Sequence, residues 1–419
     1  MRKQIKITLT FLLVILFASI IMVSVVDAQN TISGSFAYVT NSGDNTVSII
    51  DTSKNNVTDT VNFGAPYYPS GIAFSPDGTK AYLTNSFNNT ISIMDTATTN
   101  VTNTINVGYD PKVIAISPDG TKLYVGSWGA PKVILEYGNG SRSAYIGPVS
   151  GNISEIDISN NSVIATLPLE GLPNVIAITP DGKKIYVVNS TFFSFDSNIT
   201  VIDTTTNNVT ALVGGLETPY KIVVTPNGKK AYVTQGFSGN VSVINTSTNK
   251  VISTVSGLED PSGIAISPDG TKVYVASSGS GNSNISTIDT ATDTVKSTVS
   301  AGSKSEELGF IGATEVAVSP DGTKIYAANL FGKNVFVIDT ATNKVKATVK
   351  VEYQYPGGVA VNPDGTKVYV TSGKSNNVSV IDTASNTVTA TLSVGKNPHG
   401  VVVSPVSYTH LTLPTNREV

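Results

Sequence analysis

One corner comes back eight times along this chain, and that repetition limits what the chain can fold into more than any other property. A proline stands at Pro76, Pro118, Pro180, Pro226, Pro268, Pro320, Pro363 and Pro405, followed by Asp-Gly or Asn-Gly in the first seven copies, with successive gaps of 42, 62, 46, 42, 52, 43 and 42 residues. A period near 42, broken by two clear insertions, marks an array in which one supersecondary unit is stacked until its apolar faces are covered. In the copy from Gly71 to Val107 the unit reads GIAFS, KAYLTNS, TISIMDT and VTNTINV, four runs designated A to D. Each alternates apolar with small polar residues, the period of a strand, and four antiparallel strands in forty-odd residues make one propeller blade. Only 14% of residues are charged, and the abundance of Thr, Ser, Asn, Val and Gly suits short strands joined by tight turns. The expected fold class is all-β, a single β-propeller of four-stranded antiparallel blades.

The ends of the array predict how the ring closes. The first unit, Phe36 to Gly64, has runs B, C and D but no A, whereas the last has only an A, residues 400–404. Pairing Gly400–Ser404 with Phe36–Thr40 completes the first blade from both termini and removes the open edges a linear stack would leave. Eight blades follow from this count; seven is the alternative if the ring closes elsewhere. The turns have local causes. In SPDG, Pro presets φ, Asp tolerates the third turn position and Gly supplies a positive φ; in the recurring IDTxTN a carboxylate accepts backbone N–H bonds. No unit spaces carboxylates at one, three and five as an oxygen-ligand calcium loop does, so no metal and no cofactor is expected.

The copies FAYVTNSGDNTVSIIDT, KAYLTNSFNNTISIMDT, KAYVTQGFSGNVSVINT and KVYVTSGKSNNVSVIDT resemble the YVTN-type β-propeller repeats of archaeal surface-layer proteins and are more distantly similar to lactonase-like propellers. The resemblance covers residues 36 to 405. It implies a secreted or cell-surface propeller, often seven-bladed in such proteins, and carries no catalytic residue with it.

Three further readings concern location and partners. MRKQIK precedes an apolar run from Ile7 to Val26 and small residues ending at Ala28, so residues 1–28 read as a secretory signal cleaved after Ala28, with an uncleaved anchor as the alternative. The chain has no cysteine, which excludes disulfides, thiolate metal sites and a lipoprotein anchor. Without residues 1–28 there are 24 basic and 29 acidic residues, the wrong balance for nucleic acid. Residues 406–419 lie outside the repeat pattern and read as a non-native tail.

In a propeller the D-to-A and B-to-C connections share one face. The length variation is concentrated there, at Ser127–Gly151, Ser190–Ser197 and Ser300–Thr314, and so are the aromatics outside the strand pattern, among them Tyr67, Tyr68, Phe87, Tyr109, Trp128, Tyr137, Phe193, Tyr220, Phe237 and Tyr353. Aromatic side chains on loops held by a rigid scaffold form recognition surfaces. The first residue after the proline that opens run A, including Lys112, Tyr220 and His399, rims the channel, with Lys221 and Glu315 one step further in. The candidate binding residues are therefore Trp128, Glu136, Tyr137, Arg142, Phe193, Tyr220, Glu306, Glu307, Tyr353 and His399. Asn-x-Ser/Thr sequons are frequent; Asn56, Asn100, Asn139, Asn152, Asn198, Asn240, Asn284 and Asn377 are the glycosylation candidates, with Asn189 and Asn208 among the others. The expected function is a secreted structural, adhesive or binding component of a cell envelope, with envelope proteins or glycans as partners and no membrane span after signal cleavage. The alternative is a lactonase-like or lyase-like extracellular enzyme, for which Glu136, Glu306 and Glu307 are the best carboxylates.

Overall fold

A computed structural model of the chain describes residues 33–64, 69–130, 133–138, 141–146, 150–190, 196–278, 282–303, 313–329, 333–351, 356–404 and 408–409. The chain divides into two units. In the smaller one, the described residues are two short strands, Ser33–Gly34 and Tyr408–Thr409, paired antiparallel. The tail beyond Thr409, and the predicted signal segment, lie outside the described residues.

The larger unit, Ser35–Ser407, contains eight four-stranded antiparallel sheets in the order A-B-C-D. This is an eight-bladed β-propeller. Blade 1 joins Pro398–Val403 to Phe36–Asn41, Thr46–Asp51 and Asn56–Asn62, with Ala37 opposite Val403, Tyr38 opposite Val402 and Val39 opposite Val401. The expected closure of the ring from both ends of the array is therefore observed. Blades 2 to 8 begin their A strands at Pro69, Pro111, Leu172, Pro219, Pro261, Ala313 and Pro356. Each A strand touches the A strands of both neighbouring blades all the way round, so A is the inner strand and D the outer one.

The repeat Tyr-Val-Thr-Asn in strand B has a separate job for each residue. The tyrosine, at Tyr38, Tyr82, Tyr124, Tyr186, Tyr232, Tyr274, Tyr326 and Tyr369, is the largest fully buried side chain of its blade, and it faces the next blade. At the joint of blades 4 and 5, for example, Tyr186 and Val188 pack with Ile222, Val233 and Ile244. Where strand A bulges against strand B, the threonine takes up the displaced backbone: Thr84 accepts from the Gly71 N–H at 2.8 Å, and Thr371 accepts from Gly358 at 2.8 Å. The asparagine closes the end of the blade. Asn41 Nδ2 donates to Thr46 and Ser48, and Asn85 Nδ2 to Thr90 and Ser92, all within 3.0 Å. The buried Nδ2 groups of Asn41 and Asn85 are thus satisfied within their own blades, as burial favours.

The corners behave as their residue types dictate. Gly78, Gly120, Gly182, Gly228, Gly270, Gly322 and Gly365 all have φ between 66° and 72°, a region where a side chain is strained. Asp51 Oδ1 accepts from the N–H groups of Ser53 and Lys54, and Asp203, Asp289 and Asp339 repeat this in their own corners. These hydrogen bonds hold Asp203, Asp289, Asp339 and Asp382 below the usual carboxylate range. The lysine that opens strand B ties one blade to the next. Lys122, Lys184, Lys230, Lys272, Lys324 and Lys367 each donate to the carbonyl of the threonine in the next blade's C–D corner. In blade 1 the corresponding residue is Phe36.

Candidate functional site

The face that collects the B-to-C and D-to-A connections carries a cleft of about 400 Å³ at blades 2 and 3. Strand B of blade 2 ends at Asn85 and passes into a single 3-10 turn, Ser86–Asn88, capped by Asn89 at φ 60°. That turn leaves Phe87 65% exposed. The connection from strand D, Val101–Asn106, to the next strand A, Pro111–Ile116, presents Tyr109, which is 47% exposed. The two loops are fastened together: Asn89 Oδ1 accepts from the Asp110 N–H at 2.9 Å, and Ser86 Oγ donates to the Pro111 carbonyl at 2.8 Å. Phe87 and Tyr109 are thus held on one cleft, while Ser42, Ser70 and Ser86 contribute hydroxyls to its lining.

Charge in the cleft is paired. Lys112 Nζ lies 2.8 Å from Asp110 Oδ1, 3.4 Å from Ser86 Oγ and 5.1 Å from the centre of the Trp128 ring. A cation over an indole face is favourable, the more so when partly desolvated. Trp128 is half-buried and is itself fixed, since its Nε1 donates to the Pro173 carbonyl of blade 4 at 3.2 Å and its backbone N–H to the Asp110 carbonyl. Blades 2, 3 and 4 therefore hold one aromatic and hydroxyl surface with a neutralised ion pair in it. Amphipathic rings beside hydroxyl and charged groups are the chemistry of recognition. Among the described residues no three His, Asp or Glu side chains gather as a metal site would need.

Of the candidate binding residues, Trp128 lies beside this cleft, against Lys112 of its lining. Tyr220 and Phe237 are 57% and 82% exposed at the same end of blade 5, because Pro219 pairs with Gln235 in the adjoining strands. Glu136, Tyr137 and Arg142 lie on a hairpin inserted in blade 3, Val133–Gly138 with Ser141–Ile146, where Tyr137 is opposite Arg142 and Glu136 opposite Ser143; their side chains lie outside the described residues. Phe193, Glu306, Glu307 and Tyr353 also lie outside them. His399 is exposed on strand A of blade 1, and its carbonyl accepts from Thr371 Oγ1 at 3.0 Å. Lys221 of blade 5 reaches past blade 6 to an ion pair with Glu315 of blade 7.

The sequons separate by strand. Asn56 and Asn100 are exposed at the entry to strand D. Asn152, Asn198, Asn240 and Asn284 lie on strand C and are half-buried, Asn377 on the same strand is 9% exposed, and Asn139 lies outside the described residues. Sequence reasoning listed Phe87, Tyr109 and Lys112 separately without bringing them together, and it passed over Asp110. The available signal was that SFNN and GYDP are the B-to-C and D-to-A connections of one blade, which its topology delivers to one place.

Comparison with known proteins agrees with the architecture. Residues 221–404 match the description of a Choice-of-anchor I domain. No curated protein matches the sequence. Among solved structures, the chain is similar to the dihydro-heme d1 dehydrogenase NirN in complex with DHE, at 14% identity and a TM-score of 0.68 over 89% of this chain and 75% of that one. It is similar to a Kuenenia stuttgartiensis hydrazine synthase chain, at 22% identity and a TM-score of 0.56 over 75% of this chain and 96% of that one. It is also similar to a functionally unknown protein from Desulfotomaculum acetoxidans, at 16% identity and a TM-score of 0.59 over 88% and 98% of the two chains. At these identities the likeness is one of fold, and on that ground the chain is a β-propeller repeat protein.

Proposed function

We propose that this protein is a secreted or cell-surface propeller that binds glycan-rich envelope material through the cleft at blades 2 and 3. The observation that carries this reading is the pairing of the exposed rings of Phe87 and Tyr109 on loops pinned to each other and next to the Lys112–Trp128 contact. Rings held in place by a scaffold lose little entropy when a ligand stacks on them. The match to a Choice-of-anchor domain and the apolar N-terminal run support a place outside the cytoplasm; no helix among the described residues is long and apolar enough to cross a membrane. The surface-layer role expected from the YVTN-type repeats is the specific form of this proposal. The enzymatic alternative depends on Glu136, Glu306 and Glu307, whose side chains lie outside the described residues.

The test is co-sedimentation of the purified chain with isolated envelope polysaccharide. Replacing Phe87 and Tyr109 together by alanine removes two central contacts of about 1 kcal/mol or more each and should weaken binding by about thirtyfold or more, with unchanged folding. Equal binding by the double variant would overturn the assignment of this cleft.

A further inference from the structure

Strand D is the outer strand of every blade, so one of its edges has no partner within the sheet. Such an edge invites pairing with another chain and is normally protected by lysine or another obstruction. The residue five places after the C–D corner Asp or Asn marks the entry to strand D. It is Lys250 in blade 5 and Lys344 in blade 7, while blade 6 carries Lys296 two residues further along. Strand D contains no lysine in blades 1, 2, 3, 4 and 8, and in blades 1, 2 and 4 the same entry position is Asn56, Asn100 and Asn208. Each begins the tripeptide Asn-Val-Thr. The preceding residues, Asn55, Thr99 and Asn207, have φ of 52°, 59° and 56°, so all three asparagines leave the same left-handed corner in the same direction. All three are exposed, as are Thr58, Thr102 and Thr210 of the tripeptides.

From this repeated geometry we infer that Asn56, Asn100 and Asn208 carry N-linked glycans, which protect three of the five outer edges that have no lysine. In the reaction, the carboxamide nitrogen forms a C–N bond to the anomeric carbon of a lipid-phosphate-linked oligosaccharide. The anomeric C–O bond breaks with its electron pair leaving on the phosphate, and the nitrogen gives up one proton. Nothing is oxidised or reduced. Two other sequons are closed to this chemistry. Asn189 is fully buried, with Nδ2 donating to Asn198 at 2.8 Å and Thr200 at 2.7 Å, and Asn377 is buried on strand C.

The inference rests on the extracellular reading above, and the experiment separates the two. The full chain is recovered from the cells that naturally make it, its exposure is measured by protease treatment of intact cells, and its peptides are analysed by mass spectrometry. The expected result is a protease-accessible protein with a carbohydrate mass on the peptides containing Asn56, Asn100 and Asn208 and none on those containing Asn189 and Asn377. N56Q, N100Q and N208Q should each abolish one modification, and the triple variant should self-associate at lower concentration in sedimentation runs. An accessible protein unmodified at the three positions, or modified at Asn189 or Asn377 instead, overturns the inference and leaves the extracellular reading standing. A protein shielded inside the cell overturns both.

Discussion

Blade 3 contains a charge that no other blade has in the same place. Glu155 lies on strand C, where Ile49, Ile93, Val201 and Val243 stand in other blades, and its side chain is 1% exposed. Lys122 Nζ lies 2.6 Å from Glu155 Oε1 and 2.9 Å from the Thr204 carbonyl of blade 4. Oε2 has no hydrogen-bond partner among the described residues. Lys122→Met therefore removes two contacts of different kinds. The bond to Thr204 is a charge-assisted hydrogen bond worth about 1.5–3 kcal/mol. Leaving a carboxylate buried without its cation costs about 3–5 kcal/mol. Lys272→Met is the control, because Lys272 donates to the Thr340 carbonyl at 3.0 Å but has Thr287 in place of Glu155. Urea denaturation, which leaves ion pairs unscreened, followed through the lone Trp128, should show K122M losing at least about 3 kcal/mol more than K272M. Adding E155V should recover most of that difference, since replacing a buried ion pair by apolar residues is often neutral or stabilising by about 1–4 kcal/mol. Equal losses for K122M and K272M, or no recovery on adding E155V, would refute the claim that Glu155 depends on Lys122.

Other consequences follow from the corners, the tyrosine ring and the closing strand. Hydrogen bonds hold Asp77, Asp119, Asp181, Asp269 and Asp321 below the ordinary carboxylate range; their contribution is present above an unfolded pKa of about 4 and is lost as pH falls through the lower folded values. Thermal melts should therefore drop progressively below about pH 4, and a flat profile there would contradict the turn assignment. Burial pushes the hydroxyls of Tyr82, Tyr186, Tyr274 and Tyr326 up to about 12, so the stability they confer is complete below about pH 10 and disappears as pH rises through 12. Phenolate absorbance in a spectrophotometric titration should lag behind that of free tyrosine until the protein unfolds. Val401 is 7% exposed and packs with Ala37, Val39 and Val380. V401D buries an unpaired charge, costs at least about 3 kcal/mol, and should raise hydrogen exchange in Phe36–Asn41 before it does so in blade 5; uniform exchange would mean that the ring has no distinct closing strand.

The eight blades and their closure were legible in the sequence because each is a consequence of local chemistry repeated many times. Alternating residues form strands, Pro-Asp-Gly forms a corner, and an unpaired B-C-D at one end requires an A from the other. The Asn of Tyr-Val-Thr-Asn and the lysine of SPDGTK were visible as letters, but their partners lie on another strand or in another blade, so their roles needed the register. The binding surface was legible only as a face. Tyr109 and Phe87 are 22 positions apart in the sequence, and Lys112 reaches Trp128 across a strand pair; loops of irregular length meet according to the tilt and spacing of whole blades, which no local pattern encodes. Exposure divided the sequons for the same reason, since an Asn-x-Thr on strand C, paired on both edges, and one at the outer strand D are alike in sequence and differ in how far the blade covers them.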